Sequence, residues 1–161
     1  MIVVRIDARQ LAEGARRIWP ALDRNVGTAL AMTADLVASN ARRTSLFADR
    51  SGKLRTSIMP AAPTGTFSRG TADVAVEAGA ASTVYAPAVH DGSVAHEIRP
   101  RAGRVALRWG VSGGFRFAKV VRHPGTSPRP FMAHALDEES MKFERIFGEA
   151  VEAAFGEAFG A

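Results

Sequence analysis

Cysteine is absent from this chain of 161 residues. Disulfide bonds and thiolate metal ligands are therefore excluded, and a reducing cytoplasm is the natural folding compartment. No apolar run approaches the roughly 18 residues that span a bilayer, and Arg5 interrupts the first apolar segment too early for a secretory leader. We expect a soluble chain of intracellular origin with no membrane partner. Its length fits a single domain over residues 1–161, large enough to bury about 68–70% of its unfolded surface.

Acidic residues are missing from the middle of the chain. Neither Asp nor Glu occurs between Ile98 and Leu136. Eight basic residues lie there: Arg99, Arg101, Arg104, Arg108, Arg116, Lys119, Arg122 and Arg129. From Asp137 onward the sign reverses, and seven acids face only Lys142 and Arg145. The two regions can complement each other within a subunit or between neighbours in a ring, and a solvated surface with local bias is the simpler alternative.

The sequence shows no pattern typical of a metal, nucleotide or catalytic site. His90 and His96 are six residues apart, and His123 and His134 are eleven apart, so neither pair has the i, i+4 spacing of two ligands on one helix face. Residues 110–114 match the letters Gly-x-Ser-x-Gly, but the alternating segment that follows favours a hairpin turn over a nucleophile elbow. We therefore expect no enzyme, no metal and no cofactor. A hydrolase that depends on the serine of this match or on a histidine is the alternative.

Hydrophobic periodicity predicts the helices. After a short strand over residues 1–6, Asp7 and Gln10 form a capping box, and apolar residues then recur every three or four positions to about Leu46. Because proline clashes inside a helix, we expect this helix to break near Trp19 and Pro20.

Alternating segments predict the strands, with turns at Gly103 and at Gly113 and Gly114. The predicted strands cover residues 72–77, 94–99, 104–109 and 115–121. An amphipathic helix follows Pro130. The expected fold is α+β: a single antiparallel sheet of about four to five strands, packed by a long N-terminal helix, broken near Pro20, and a C-terminal helix.

Three short segments stand out by their turn chemistry. They are residues 51–57 (Ser-Gly-Lys-Leu-Arg-Thr-Ser), 85–93 (Tyr-Ala-Pro-Ala-Val-His-Asp-Gly-Ser) and 123–132 (His-Pro-Gly-Thr-Ser-Pro-Arg-Pro-Phe-Met). Prolines fix φ near −65° in the third, which makes it a shaped loop ahead of a helix. In this order and at these spacings, the segments resemble the neck and tail-completion family of long-tailed bacteriophages. Asp91 and Ser93 stand where family members often have Glu and Thr.

The resemblance implies a structural virion protein of the head–tail junction. Copies of the chain, in a hexamer or a dodecamer, would form a ring between the portal or connector and the tail tube, assembled in the host cytoplasm. The implied partners are neighbouring copies, the connector or stopper and tail-tube proteins, and DNA that passes without sequence recognition. A tail terminator that caps the tube is the alternative in the same class. A basic nucleic-acid-binding protein is the alternative in another class.

An interface hypothesis follows from the resemblance and the charges. We expect a hairpin over residues 99–108 and the loop over residues 125–131 to contact the next subunit or the adjoining ring. The interface residues are Arg99, Arg101, Arg104, Arg108, His123, Pro124, Gly125, Thr126, Arg129, Pro130 and Phe131. In this hypothesis Phe131 fills an apolar pocket of the neighbour, and core packing at a helix start is the alternative. His90, Asp91, His123 and Thr126 are expected to fix loops by hydrogen bonds.

Overall fold

A computed structural model of the protein describes residues 8–80 and 82–160. The predicted strand over residues 1–6 and the Asp7 cap lie outside these ranges. The described residues form two compact units, one within residues 8–84 and 131–160 and the other within residues 85–130.

Helix α1 spans Ala8–Arg43 as one uninterrupted helix that contains Pro20. The predicted break near Pro20 is therefore wrong. Pro20 removes the N–H that would bond the carbonyl of Arg16, but both residues are exposed, so the missing bond lies on the outer side of the helix. The cost of one bond on the outer face is outweighed by packing along the rest of the helix.

Helix α4 spans Phe131–Phe159 and runs antiparallel to α1, because Asn40 contacts Glu139 near one end and Asn25 contacts Glu157 near the other. Alanines are frequent among the buried residues of the two helices: Ala21, Ala29, Ala34, Ala38 and Ala41 on α1, and Ala135, Ala154 and Ala158 on α4. Ala21 and Ala154 lie in one core cluster. Small side chains at these positions let two helices pack closely, so the predicted pair of long helices is confirmed.

Short elements follow α1 within this unit. Helix α2 (Lys53–Thr56) is followed by β1 (Met59–Pro60), β2 (Thr64–Thr66), a 3₁₀ turn (Phe67–Arg69), β3 (Thr71–Asp73) and β4 (Val76–Glu77). Strand β1 pairs with β4, and β2 with β3, both antiparallel. The four strands form one irregular hairpin, in which residues 61–63 oppose only residues 74–75.

The second unit is also built on one hairpin. Helix α3 (Ala86–His90) precedes β5 (His96–Ile98), β6 (Leu107–Val111), β7 (Gly114–Ala118) and β8 (Val121–His123). Strand β6 pairs with β7 across a two-residue turn, and β5 pairs with β8. The Gly-x-Ser-x-Gly match therefore lies in a hairpin turn between two strands, as predicted.

The expected single sheet of four to five strands is not formed, although the α+β class is correct. Each strand pairs with one other strand, which gives four two-stranded ladders in the described part of the chain. Extra residues interrupt both hairpins on the first strand, and these insertions contain or follow prolines: Pro60 and Pro63 in one, Pro100 in the other. Proline has no N–H for a ladder, so it ends the pairing at these points.

Candidate functional site

The first of the three segments forms a clasp around the end of α1. Arg55 donates hydrogen bonds through its guanidinium to the carbonyls of Thr44 (2.7 Å) and Phe47 (3.1 Å), and also to that of Arg42. Its backbone N–H donates to Asp49 at 2.8 Å, and this bond above all lowers the pKa of the Asp49 carboxyl. Arg55 thus donates hydrogen bonds to carbonyls that the end of a helix and the following turn leave without partners.

Phe131 lies inside this clasp and not on a surface. Its ring packs against Phe47 with centroids 4.8 Å apart, and only 1% of Phe131 is exposed. The guanidinium of Arg55 lies 4.7 Å from the centre of the Phe47 ring. The hypothesis that Phe131 fills a pocket of a neighbouring subunit is therefore corrected: the residue is a core anchor at the start of α4, and burial of its ring fixes the end of the third segment.

The second and third segments are joined by backbone hydrogen bonds. Ser93 and Thr126 form a reciprocal pair, with N–H to carbonyl distances of 2.9 and 3.0 Å. The N–H of Arg129 is shared between the carbonyls of Val89 (3.1 Å) and His90 (2.9 Å) at the end of α3. Two stretches more than thirty residues apart in the sequence are thereby held side by side.

Two glycines allow this close approach. Gly92 and Gly125 have φ values of 80° and 95°, in the left-handed region that L side chains avoid. A β-carbon on Gly92 would lie 2.6 Å from the Thr126 carbonyl oxygen, and one on Gly125 would lie 2.3 Å from that of Ser93. The glycines of Asp-Gly-Ser and Pro-Gly-Thr are thus required for both conformation and space.

Histidines flank the same junction. His96 and His123 face each other across the β5–β8 pair with ring centroids 5.1 Å apart. The Nδ1 of His123 accepts a hydrogen bond of 3.1 Å from the Gly125 N–H, which assigns the ring proton of a neutral His123 to Nε2. His90 Nδ1 lies 2.6 Å from Asp91 Oδ1. The predicted loop-fixing role is confirmed for His123, which bonds the backbone of the turn. His90 and Asp91 bond each other, and Thr126 bonds through its backbone.

Residues 93–126 form a long two-stranded ribbon, which we call the arm. The Ser93–Thr126 pair and the β5–β8 ladder share one register, and the β6–β7 ladder continues the ribbon to a turn at Ser112 and Gly113. Between the ladders, residues 99–106 on the first strand oppose only residues 119–120 on the second. The predicted hairpin over residues 99–108 is thus wrong, because its residues form a large bulge and the start of β6.

The bulge concentrates positive charge. Arg101, Arg104 and Arg108 line a concavity of about 440 Å³ on its surface. Glu97 is the arm's one carboxylate, and it pairs with Arg99 at 2.7 Å and with Arg122 at 3.8 Å. These ion pairs are solvent-exposed and contribute little to stability.

Cross-strand register assigns the arm's aromatic side chains to faces. Arg108 pairs with Phe117, and Phe115 lies diagonally from Arg108, so these three side chains share one face. The Arg108 guanidinium lies 3.7 Å from the centre of the Phe115 ring. The opposite face carries Trp109 and Arg116. Phe115 and Phe117 are 58% and 66% exposed, so the described residues leave much of this apolar face uncovered.

The predicted interface residues therefore separate into two groups. Exposed positions are Arg99, Arg101, Arg104, Arg108, Pro124, Arg129 and Pro130. His123, Gly125 and Thr126 are half-buried and shape the base of the arm, and Phe131 is core. Sequence reasoning missed Phe47, Phe115 and Phe117 as important side chains. The turn at Gly113 could have predicted that Phe115 and Phe117 share a face, because it fixes which residues oppose each other across the hairpin.

Within the described ranges, no helix is long and apolar enough to cross a membrane, and no three or more His, Asp or Glu side chains are grouped as metal ligands. No protein-family model, curated protein or solved structure matches this chain.

Proposed function

We propose that this protein is a structural component of the head–tail junction of a long-tailed bacteriophage. In this role copies of the chain form a ring between the connector and the tail tube, and DNA passes through the ring. The station is a neck, tail-completion or tail-terminator protein, and the finished location is the virion. The ordered set of three segments supports the class of protein.

The arm is the observation that carries the proposal. It is a two-stranded ribbon with exposed side chains on both faces of its β6–β7 ladder. An isolated two-stranded hairpin is only marginally stable in water, and large exposed apolar patches mark protein interaction sites. A subunit that presents such a ribbon fits an assembly in which other proteins cover it.

The junction at the base of the arm supports the same proposal. Backbone hydrogen bonds and two required glycines join segment 85–93 to segment 123–130, so the turn residues that carry the family resemblance also set the geometry of the ribbon. The presence of these turn residues is thus explained by the structure of the arm, without a role in binding a substrate.

Electron microscopy of negatively stained particles, together with light scattering, tests the proposal directly. The purified chain is measured alone and after addition of tail tubes from the phage whose genome encodes it. Rings alone, or a ring at the end of each tube, are the expected result. A chain that stays monomeric and leaves the tubes bare contradicts the proposal. A gene neighbourhood without portal, capsid or tail genes counts against it independently.

A nucleic-acid-binding function is the second candidate, and the arginine-lined bulge favours it. Exposed guanidinium groups suit phosphate contacts, whose affinity falls steeply with salt. The discriminating measurement is binding to random duplex DNA by the isolated chain at several salt concentrations. If this second function holds, replacement of Arg101 and Arg104 by Ala weakens the binding to DNA and lowers its salt dependence. If it does not hold, the same replacement leaves ring formation unchanged.

A further inference from the structure

The arm's aromatic face needs a partner of definite chemistry. It combines two exposed phenylalanine rings with the guanidinium of Arg108, and no acidic side chain lies within the β6–β7 ladder to balance the charge. Its partner surface should therefore be apolar at the centre and negatively charged around it.

Helix α4 carries such a surface along one row of exposed side chains. Asp137, Met141, Glu144, Glu152 and Phe155 follow one another at helical spacing, and all five are exposed. We call this row the outer stripe. Met141 and Phe155 are 79% and 51% exposed, and no ion pair joins Asp137, Glu144 or Glu152 to a described basic residue.

A buried stripe on α4 already accounts for its packing on α1. Ala135, Glu139 and Ile146 are buried and lie on the opposite side of the helix from Asp137, Met141 and Glu144. The exposed side chain of Met141 is thus additional to what the packing of α4 uses, whereas Phe155 also stacks on Phe159 with ring centroids 6.0 Å apart.

The charges of the arm and of the outer stripe favour one contact between two copies over another. Two arms would repel each other, since each carries seven Arg and Lys residues against Glu97 alone. An arm against an outer stripe brings opposite charges together. That contact joins two different surfaces, and a heterologous contact forms a ring when the rotation between neighbouring copies closes.

We propose that the aromatic face of the arm docks on the outer stripe of α4 in a second copy of this chain. Phe115 and Phe117 cover Met141, and Arg108 pairs with Glu144. The inference rests on the proposed function in that it supplies the contact between neighbouring subunits of the ring. It goes further by naming the two surfaces.

Photo-crosslinking of the full chain tests the contact. A benzophenone amino acid replaces Phe117, the chain is irradiated at low ionic strength, and products are separated by mass and mapped by peptide sequencing. We expect a crosslinked dimer in which residue 117 is joined to α4 between residues 137 and 155. Crosslinks to another part of the second copy, links confined to one chain, or a chain that remains monomeric both alone and with tail tubes each overturn the docking inference.

A charge exchange provides a second test. Arg108→Glu and Glu144→Arg should each weaken self-association at least about tenfold, and the chain that carries both changes should recover much of the loss, because the exchanged charges again attract. Arg122→Glu, near the base of the arm, is one matched control. Glu149→Arg is the other, because the native Glu149 lies beside the stripe and pairs with Arg145. They should leave self-association nearly unchanged. Losses in the controls as large as in the test variants, or no recovery in the exchange, contradict the inference.

The outcomes separate the two proposals. Rings that persist in each single variant, Arg108→Glu alone and Glu144→Arg alone, overturn the docking surfaces and leave the proposed function standing. Absence of rings in the unaltered chain, both alone and on tail tubes, overturns both. Crosslinking of residue 117 to added duplex DNA in preference to protein overturns the docking inference in favour of nucleic-acid binding.

Discussion

Asn40 donates a hydrogen bond of 2.9 Å to the carboxylate of Glu139 and so joins the two long helices across 99 positions of sequence. Glu139 is 4% exposed, and its other carboxylate oxygen lies 2.7 Å from Lys142 Nζ. A buried carboxylate is tolerated because both oxygens have partners. The Asn40 bond also favours the observed register of α1 against α4, since a shift of one residue would leave one buried carboxylate oxygen without its partner.

We therefore predict that Glu139→Gln lowers the free energy of unfolding by about 1–3 kcal/mol at pH 7, because the ion pair to Lys142 is lost and a polar group stays buried. Urea denaturation followed by circular dichroism measures the change. Glu138→Gln is the control, since this neighbour is exposed. Equal effects at the two positions contradict the assigned role of Glu139.

The same carboxylate predicts a dependence of stability on acid. The bond from Lys142 and then that from Asn40 lower the pKa of Glu139 in the folded protein below its ordinary value of about 4.3. The unfolded chain therefore takes up this proton first as pH falls. The stabilisation is fully present above the ordinary value and is lost as pH falls through the lowered pKa. Denaturation curves between neutral pH and pH 3 should converge for the native chain and Glu139→Gln, and a constant gap would contradict this account.

Arg55 provides a test of the clasp at the end of α1. Arg55→Lys retains the charge but cannot reach three carbonyls with a planar fork, so we expect a loss of about 1–3 kcal/mol in the free energy of unfolding. Lys53→Ala, at an exposed position of the same short helix α2, should change stability by less than about 0.5 kcal/mol. Chemical denaturation of both variants gives the comparison. If Arg55→Lys leaves the free energy of unfolding unchanged, a positive charge alone is sufficient for stability at this position.

The helices were predictable from sequence and the sheet was not, for different physical reasons. Apolar spacing is a local signal, so it predicted α1 and α4. The break predicted at Pro20 was wrong because the exposed position of this proline depends on tertiary structure. Strand partners depend on residues far away in the sequence. The alternation within residues 94–121 indicated extended chain, which is right for β5 to β8 and wrong for residues 104–106 of the bulge. It contained no signal that β5 would skip β6 and β7 to pair with β8.

At the candidate site, the sequence identified the turns better than the surfaces. Pro-Gly-Thr and Asp-Gly-Ser indicated tight loops, and their glycines do sit at positive φ. The contact between these loops is a long-range event and was beyond pattern reasoning. Phe131 was assigned to an interface because an aromatic residue after three prolines suggests an anchor, yet whether an anchor binds its own chain or a neighbour depends on Phe47.

Gly125 allows a prediction about the base of the arm. Gly125→Ala should destabilise this region by about 1–3 kcal/mol from backbone strain, with a further loss because its β-carbon would meet the Ser93 carbonyl oxygen. Gly113→Ala is a matched control, with a φ of 87° and no atom within 4 Å of the added carbon. Amide hydrogen exchange at Ser93 and Thr126 should accelerate more in the first variant than in the second. Equal protection in both variants excludes the steric part of the argument.

Phe131 and Phe117 differ in what their removal should do. Phe131 is buried against Phe47, so Phe131→Ala should cost about 3–5 kcal/mol in the free energy of unfolding. Phe117 is mostly exposed, and Phe117→Ala should change that free energy by less than about 0.5 kcal/mol while it weakens self-association. Denaturation and light scattering on both variants separate fold from assembly. If Phe131→Ala instead left stability intact and abolished only the ring, the earlier interface assignment of Phe131 would be right and its place in the core would have no energetic meaning.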